Sequence, residues 1–127
     1  MPLVRIDVLD GYTADQLGSL GDGVHRAMVE TIGVPEPDRF QVINAHPPGT
    51  LVFDPEYLGI QRTPGVVFIR ITLNTGRTLE QKKALYAAIA RNLSARPGVR
   101  PQDVLVSLVE VPKENWSFGN GLAQYAP

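Results

Sequence analysis

The sequence repeats itself at a spacing of 65 residues, and this internal repeat restricts the possible folds more than any other feature. Many residues recur unchanged at that spacing, and they include the same turns and helix caps in both halves. The identical pairs include Arg5 and Arg70, Ile6 and Ile71, Gly11 and Gly76, Thr13 and Thr78, Gln16 and Gln81, Arg26 and Arg91, Gly33 and Gly98, Val34 and Val99, and Asp38 and Asp103. Because the match needs no insertion, we interpret residues 2–45 and 67–111 as two copies of one structural unit.

The first copy has the pattern of a strand, a helix and a second strand. Side chains alternate in residues 3–8, with Val4, Ile6 and Val8 on one side, which indicates a strand. Residues 13–16 form a capping box, and apolar residues then recur at helical spacing until a C-cap glycine at position 33. We expect the second strand at about residues 40–45.

The second copy predicts the same three elements after a long connection. That connection, residues 46–65, contains four prolines and three glycines, and loops of this length are often functional. Within it we expect one short strand at residues 51–53. The expected elements of the second copy are a strand at 67–73, a helix from the capping box at 78–81 to about Arg96, and a strand at 104–111.

Two β-α-β units predict an α+β fold. A helical crossover makes the two strands of a unit parallel, and such crossovers are right-handed. The two units are expected to form a four-stranded mixed sheet with both helices on one face, in a single domain of residues 1–127. A domain of this length can fold without a disulfide or a metal. The other face of the sheet also carries apolar residues, so we expect it to pack against other subunits.

Composition and charge exclude several classes of function. The chain has no cysteine, which excludes disulfides and cysteine nucleophiles, and its two histidines form no metal-binding motif. A formal charge of −1 gives no electrostatic reason to bind nucleic acid or an anionic membrane. No secretory signal, membrane-length apolar run or nucleotide-binding loop is present. We therefore expect a cytoplasmic protein that uses no cofactor.

Proline at position 2 is a candidate catalytic group. Aminopeptidases usually remove an initiator Met before a small residue, which would leave Pro2 as a secondary amine at the start of a strand. A free α-amino group has a pKa of about 7.7–8.0, and burial or a neighbouring arginine lowers it. A neutral amine can act as a general base or a nucleophile. Many unrelated proteins also begin with Met-Pro, so the motif needs support from the rest of the chain.

An amino-terminal proline followed by two β-α-β units with short capping boxes resembles the tautomerase superfamily. The likeness is stronger to its malonate semialdehyde decarboxylase-like branch. Five stretches carry it: Met1-Pro2-Leu3, Val34-Pro35 with Asp38-Arg39-Phe40-Gln41, Leu58-Gly59 with Arg62, Gly76-Arg77-Thr78 with Glu80-Gln81-Lys82, and Trp116-Ser117-Phe118-Gly119. The resemblance implies a homotrimer in which Pro2 is the catalytic amine and the substrate is a small carboxylate.

The resemblance also implies roles for three polar residues. In the decarboxylase branch, the residue matching Asp38 helps to position and activate a water near the proline. A turn or cap is the alternative for Asp38, because Asp103 repeats it. Gln41 matches a position near the pocket and could bond a substrate carbonyl. Arg77 matches a residue that binds the substrate carboxylate bidentately, and a cation at a helix start is otherwise mildly unfavourable.

Trp116, Phe118 and Thr75 complete the predicted site. The resemblance places Trp116 at the pocket wall with Phe118 close by, although both residues could simply anchor the C-terminal segment. Thr75 stands where some decarboxylases of this branch carry a second arginine, which weakens the expected carboxylate binding.

These residues predict an enzyme that acts on a short oxo or enol carboxylic acid. Pro2 would transfer the proton or activate the carbonyl, while Arg77 holds the carboxylate. The reaction could be tautomerisation (an isomerase), hydration, or decarboxylation of a 3-oxo acid such as malonate semialdehyde (a lyase). The alternative is a trimeric binding or signalling module with only vestigial tautomerase activity. His25 is expected to be a packed or surface residue rather than a catalyst.

Overall fold

The protein is described from a computed structural model that covers residues 2–127, and Met1 lies outside the described residues. The helices and strands follow the predicted order, and their bounds agree with the prediction to within one residue. They are β1 Leu3–Leu9, α1 Ala14–Ile32, β2 Gln41–His46, β3 Val67–Asn74, α2 Leu79–Ala95 and β4 Val104–Val111. Short 3-10 turns lie in the connections, at Tyr57–Gly59, Pro101–Asp103 and Lys113–Asn115.

The four strands form one mixed sheet in the order β2-β1-β3-β4. Within each unit the two strands are parallel, and the two units meet where β1 and β3 pair antiparallel. Arg5 and Arg70, which are counterparts in the repeat, lie directly opposite each other in this pair. An approximate two-fold axis therefore passes between β1 and β3. The predicted fold of two β-α-β units in a four-stranded mixed sheet is confirmed.

Both helices begin at the predicted capping boxes. Thr13 Oγ1 accepts from the Gln16 N–H at 3.2 Å, and the Gln16 side chain accepts from the Thr13 N–H at 2.8 Å. Thr78 and Gln81 repeat this exchange at 3.1 and 2.9 Å. Helix α1 ends at Gly33, whose φ of 70° is a conformation that glycine adopts without strain. Among residues 2–127, no helix combines the length and apolar character needed to cross a membrane.

The core lies between the two helices and one face of the sheet. Alternate residues of β1 and β3 and one stripe of each helix are fully buried there, as the apolar periodicity requires. The largest of these side chains are Ile6, Leu20, Met28, Ile69, Ile71, Leu73, Leu85, Ile89 and Leu93. On the opposite face, which we call the outer face, four apolar side chains remain 41–45 % exposed: Leu3, Val42, Leu105 and Val109.

The predicted short strand at residues 51–53 is wrong. Leu51 is buried, but Val52 is 80 % exposed, and these residues pair with none of the four described strands. Pro48 and Pro55 flank the segment, and proline lacks the N–H group that a strand ladder needs. The apolar run therefore anchors the loop, and the buried side chain of Leu51 is the anchor.

Candidate active site

One end of the sheet brings together the beginnings of two strands and the last residues of the other two. Predicted site residues adjoin all four of these strand ends, and we call this end the proline end. The beginnings of β1 and β2 lie side by side, because these parallel strands pair Val4 with Gln41. The last residues of β3 and β4 lie at the same end, because antiparallel pairing sets Leu3 opposite Thr72. The topology thus gathers Pro2, the segment before β2 and the segments that follow β3 and β4.

Pro2 lies in the wall of an apolar cavity at the proline end. The residue is buried, and the cavity has a volume of about 240 Å³. Its lining consists of Pro2, Leu3, Phe40, Trp116, Ser117 and Phe118. Phe40 is fixed beside β1 because the Val4 N–H donates to the Phe40 carbonyl at 3.0 Å. The lining contains no charged side chain, so a charged amine or substrate would meet mostly hydrocarbon there.

Asp38 lies in the turn that leads into β2. Its backbone N–H donates to the Pro35 carbonyl at 3.0 Å, so the turn predicted as an alternative is also present. Burial raises the pKa of the Asp38 carboxyl, and the positive charges of His25 and Arg77 oppose that rise without cancelling it. Asp38 does not line the 240 Å³ cavity, but it lies within electrostatic reach of Arg77.

Arg77 is tied to the last residue of β3. Its Nη1 donates to the main-chain carbonyl of Asn74 at 3.2 Å, and the side chain is partly buried. Among the described residues, the guanidinium makes no other hydrogen bond. Its remaining N–H groups can therefore bind an incoming carboxylate.

Asn74 links Arg77 to an aromatic wall. Trp116 Nε1 donates to Asn74 Oδ1 at 2.8 Å, and Asn74 is only 8 % exposed. The Trp116 ring stacks on Phe118 with centroids 5.4 Å apart, and Phe118 meets Tyr125 edge to face at 5.1 Å. The side chain of Asn74 thus binds the aromatic wall and its main-chain carbonyl binds the Arg77 guanidinium. These two bonds fix the position of the guanidinium relative to the wall.

Gln41 and Thr75 do not reach the cavity. Gln41 Nε2 donates to the Gly21 carbonyl at 2.8 Å, and Gln41 Oε1 accepts from Arg39 Nε at 3.2 Å. The nitrogen end of this amide therefore ties β2 to α1, and the oxygen end bonds Arg39 of the preceding turn, whose Nη2 donates to Asp22 of α1. Thr75 is exposed, and its N–H and hydroxyl both donate to the Val111 carbonyl, at 3.0 and 3.4 Å. Among residues 2–127, no group of three or more His, Asp or Glu side chains is arranged to hold a metal ion.

Two residues that the sequence interpretation did not select belong to this arrangement, Asn74 and Tyr125. The repeat offered a signal for Asn74, because its counterpart is Leu9 and a polar residue thus replaces an apolar one. Tyr125 lies beyond the repeat, where only its aromatic character, shared with Trp116 and Phe118, pointed to the wall.

The opposite end of the sheet carries the repeat counterparts of the site, and their polar groups are bound to the connection between the units. Asp103 and Tyr12 are the counterparts of the aspartate and the arginine described above. Asp103 is 3 % exposed and accepts from the N–H and the hydroxyl of Thr63, at 2.7 and 2.6 Å. The Tyr12 hydroxyl donates to the Gly65 carbonyl at 2.7 Å. The connection between the units thus packs against this end, where a cleft of about 290 Å³ remains beside Tyr12 and Gly65.

Comparisons with known proteins agree with this geometry. Two family models match, both described as tautomerase enzymes, over residues 38–119 and 2–61. The probable tautomerase YusQ of Bacillus subtilis (strain 168) is 44 % identical, over 98 % of this chain and 98 % of the relative. The structure of FG41 malonate semialdehyde decarboxylase inhibited by 3-bromopropiolate is 41 % identical with a TM-score of 0.91, over 97 % of this chain and 93 % of that one. A fused 4-OT symmetric trimer is 26 % identical with a TM-score of 0.80, over 98 % of both chains.

Proposed function

The chain belongs to the tautomerase family, and from this premise we propose an enzyme that decarboxylates a short 3-oxo acid, such as malonate semialdehyde, at the amine of Pro2. The observation that carries the proposal is the position of Pro2 in the wall of an apolar 240 Å³ cavity. Arg77 is joined to that wall through Asn74 and can bind the substrate carboxylate. The proposal requires that Met1 is removed, because only then is Pro2 a free amine.

Each group has a defined part in the reaction. The bond between the carboxylate carbon and the α-carbon breaks, its electron pair moves toward the β-carbonyl, and CO₂ leaves. A cationic Pro2 would accept this charge by a hydrogen bond to the carbonyl oxygen, and the resulting enol takes a proton at carbon, loses its hydroxyl proton and becomes acetaldehyde. In the covalent alternative, a neutral Pro2 adds to the carbonyl and water leaves to give an iminium, which accepts the charge as an enamine; protonation at carbon and hydrolysis then release acetaldehyde and the free amine. Apolar walls favour the neutral CO₂ over the charged carboxylate, because hydrocarbon solvates charge poorly.

Asp38 would orient a water beside Pro2 or hold the proton that is returned. A carboxyl with a raised pKa keeps its proton at a higher pH than an ordinary aspartate, which suits proton transfer near neutrality. In this proposal Trp116 and Phe118 form part of the cavity wall. It leaves Gln41 and Thr75 outside the chemistry, because their polar groups are bound to the main chain elsewhere.

A second candidate reaction at the same site is keto–enol tautomerisation. The observation that favours it is the single guanidinium, since the position where some decarboxylases carry a second arginine is the exposed Thr75. One guanidinium suffices to hold a carboxylate while a neutral Pro2 moves a proton between oxygen and carbon. The relative YusQ bears the name of a probable tautomerase, which supports this candidate.

A proton NMR time course distinguishes the two reactions. Mass spectrometry first establishes that Met1 is absent, and the protein then receives malonate semialdehyde in one tube and phenylpyruvate enol in another. Acetaldehyde formed faster than in buffer alone supports decarboxylation. Fast loss of the enol without acetaldehyde supports tautomerisation. No acceleration in either tube, with Met1 absent, favours the trimeric binding or signalling module.

We also propose that the chain forms one domain and assembles as a homotrimer through the outer face. The exposed apolar side chains of that face and the trimeric 4-OT relative support this. Light scattering should give three times the 13.9 kDa protomer mass, and Val109→Lys on the outer face should lower it. Leu79→Lys, at an exposed site on α2, is the matched control. A monomer mass for the wild type would refute the trimer. A cytoplasmic location, no cofactor and no nucleic-acid or membrane partner remain part of the proposal.

A further inference from the structure

The segment that carries Asp38 has no regular secondary structure, so contacts with other elements must fix its position. Within residues 35–39, the Asp38 N–H donates to the Pro35 carbonyl at 3.0 Å and the Arg39 N–H donates to the Pro37 carbonyl at 2.9 Å. These bonds shape the turn locally. They do not set its distance from helix α1 or from Pro2.

His25 of α1 supplies a buried contact to this segment. The imidazole is 7 % exposed, and its Nε2 lies 2.8 Å from the Glu36 carbonyl. A carbonyl oxygen only accepts, so Nε2 carries the proton and donates. A second tie joins Arg39 to Asp22 at 2.7 Å, but these side chains are 40 % and 60 % exposed and solvent screens them. Of these two ties, the His25 bond is the buried one and is therefore the stronger anchor between α1 and the segment.

The second ring nitrogen indicates that His25 does more than fill space. Nδ1 is buried and has no hydrogen-bond partner among the described residues. An apolar side chain would occupy this position without leaving a polar atom unsatisfied. The repeat counterpart of His25 is Ala90, so this fold does not require histidine here.

His25 also lies within electrostatic reach of Asp38. Burial raises the pKa of Asp38, and the charge of a protonated His25 lowers it. Further charged groups lie close to this pair. They line a cleft of about 340 Å³ beside His25 or, in one case, lie in the loop before α2. They are Asp22, Arg26, Glu30, Glu36, Arg39 and Arg77. Three of these groups are acidic and three are basic, and of the six Arg77 lowers the pKa of Asp38.

We propose that His25 is a positioning residue for the Pro2 site, which anchors the segment before β2 and so fixes where Asp38 lies. It does not touch the substrate and acts only through Asp38. The inference rests on the proposed function, in which Asp38 orients a water or a proton beside Pro2.

Two substitutions at His25 separate anchoring from charge. Gln has an amide Nε2 that can donate to the Glu36 carbonyl, but it carries no charge, whereas Leu provides neither. The matched control is Arg26→Gln, which removes a positive charge from the same cleft at the adjacent, exposed position. For each variant, kcat and KM are measured at pH 7 with malonate semialdehyde. The titration of the Asp38 carboxyl is followed by carbon-13 NMR without substrate.

We expect His25→Leu to lower kcat on the order of 10- to 100-fold with little change in KM, because a displaced catalytic group costs rate more than binding. His25→Gln should restore most of kcat. Both variants remove the charge of a protonated His25, which lowers the pKa of Asp38, so a difference between their Asp38 titrations should report the displacement of the segment in His25→Leu. Arg26→Gln should leave kcat near the wild-type value.

Wild-type kcat in His25→Leu would overturn the proposal, and so would equal losses in the Leu and Gln variants. The titration of Asp38 needs no substrate, so the proposed function and the positioning role of His25 are tested independently. A wild-type protein without turnover would refute the proposed function. Both variants lack the charge, but only His25→Leu loses the bond to Glu36, so Asp38 titrations that are identical in His25→Leu and His25→Gln would refute the role of His25.

Discussion

Trp116 and Asn74 are joined by a hydrogen bond in which the indole Nε1 donates to the asparagine Oδ1 at 2.8 Å. The main-chain carbonyl of the same asparagine accepts from Arg77 at 3.2 Å. One residue at the end of β3 therefore holds an aromatic wall and a guanidinium in a fixed relation at the proline end, where Trp116 lines the cavity and Arg77 does not. A small apolar pocket with few, firmly placed polar groups suits the short oxo acid that we propose as the substrate.

Asn74→Leu, which installs the residue of the repeat counterpart, should weaken both the fold and the site. The substitution leaves the Trp116 N–H without its acceptor, and an unsatisfied donor of this kind costs about 1–3 kcal/mol. Trp116 is the only tryptophan, so its fluorescence reports unfolding in urea and the state of the wall. Asn74→Asp keeps the acceptor oxygen and serves as the control. Unchanged stability in Asn74→Leu would show that this bond does not hold the wall.

Arg77→Met should reduce kcat/KM by about 10- to 100-fold, because it removes a charge-assisted bond to the substrate carboxylate. Arg77→Lys should recover part of the loss, since lysine keeps the charge but not the planar pair of donors. Steady-state kinetics with malonate semialdehyde provide the measurement. Arg91→Met, on the exposed side of α2, is the control. An Arg77→Met enzyme with wild-type kcat/KM would mean that another group binds the carboxylate.

The duplicated aspartates should respond in opposite ways to the same substitution. Asp103→Asn should lower the free energy of unfolding by about 2–3 kcal/mol, because Asp103 is buried and accepts two bonds from Thr63. Asp38→Asn should lower activity without destabilising the fold, because burial raises the Asp38 pKa and the ionised carboxylate therefore costs stability at neutral pH. Urea unfolding and turnover, measured on both variants, test the contrast. Equal losses of stability would refute it.

Asp7 should make the stability of the protein depend on acid pH. Burial raises its pKa, but hydrogen bonds from His46 at 2.6 Å and Arg5 at 3.0 Å outweigh burial and hold the pKa below its ordinary value of 3.8. The stabilisation is thus present above about pH 4 and is lost as the pH falls through the lowered pKa. Asp7→Asn should cost about 1 kcal/mol at pH 7 and less at pH 3, measured by urea unfolding. Asp10→Asn, in the exposed turn after β1, is the control, and an equal cost at both pH values would contradict the assignment.

Most of the fold could be predicted because its signals are local. Capping boxes and apolar periodicity locate the helices and strands, and the helical crossover sets the direction of each strand pair. The antiparallel contact of β1 with β3, which gathers Pro2, Asp38 and Arg77 at one end, has no local signal. The sequence interpretation predicted a mixed sheet without stating which strands pair antiparallel.

The remaining features depend on loops and on long-range contacts. At the other end of the sheet, Thr63 bonds Asp103 and Gly65 bonds Tyr12, and no periodic pattern in the sequence predicts these hydrogen bonds. Gln41 was expected near the pocket, but its side chain lies on the helix side of β2 and reaches Gly21. The prediction of a strand at 51–53 failed because an apolar run does not distinguish a strand from an anchored loop.

The central claim is tested most directly by comparing the rate of acetaldehyde formation from malonate semialdehyde in wild type and Pro2→Ala. Alanine is also small, so Met1 should be removed from both proteins, and mass spectrometry checks this. We predict a loss of at least about 100-fold in kcat with an unchanged unfolding midpoint, and no loss in the control Pro127→Ala at the exposed C-terminal position. A wild-type rate in Pro2→Ala, with Met1 absent, would contradict the role of the Pro2 amine.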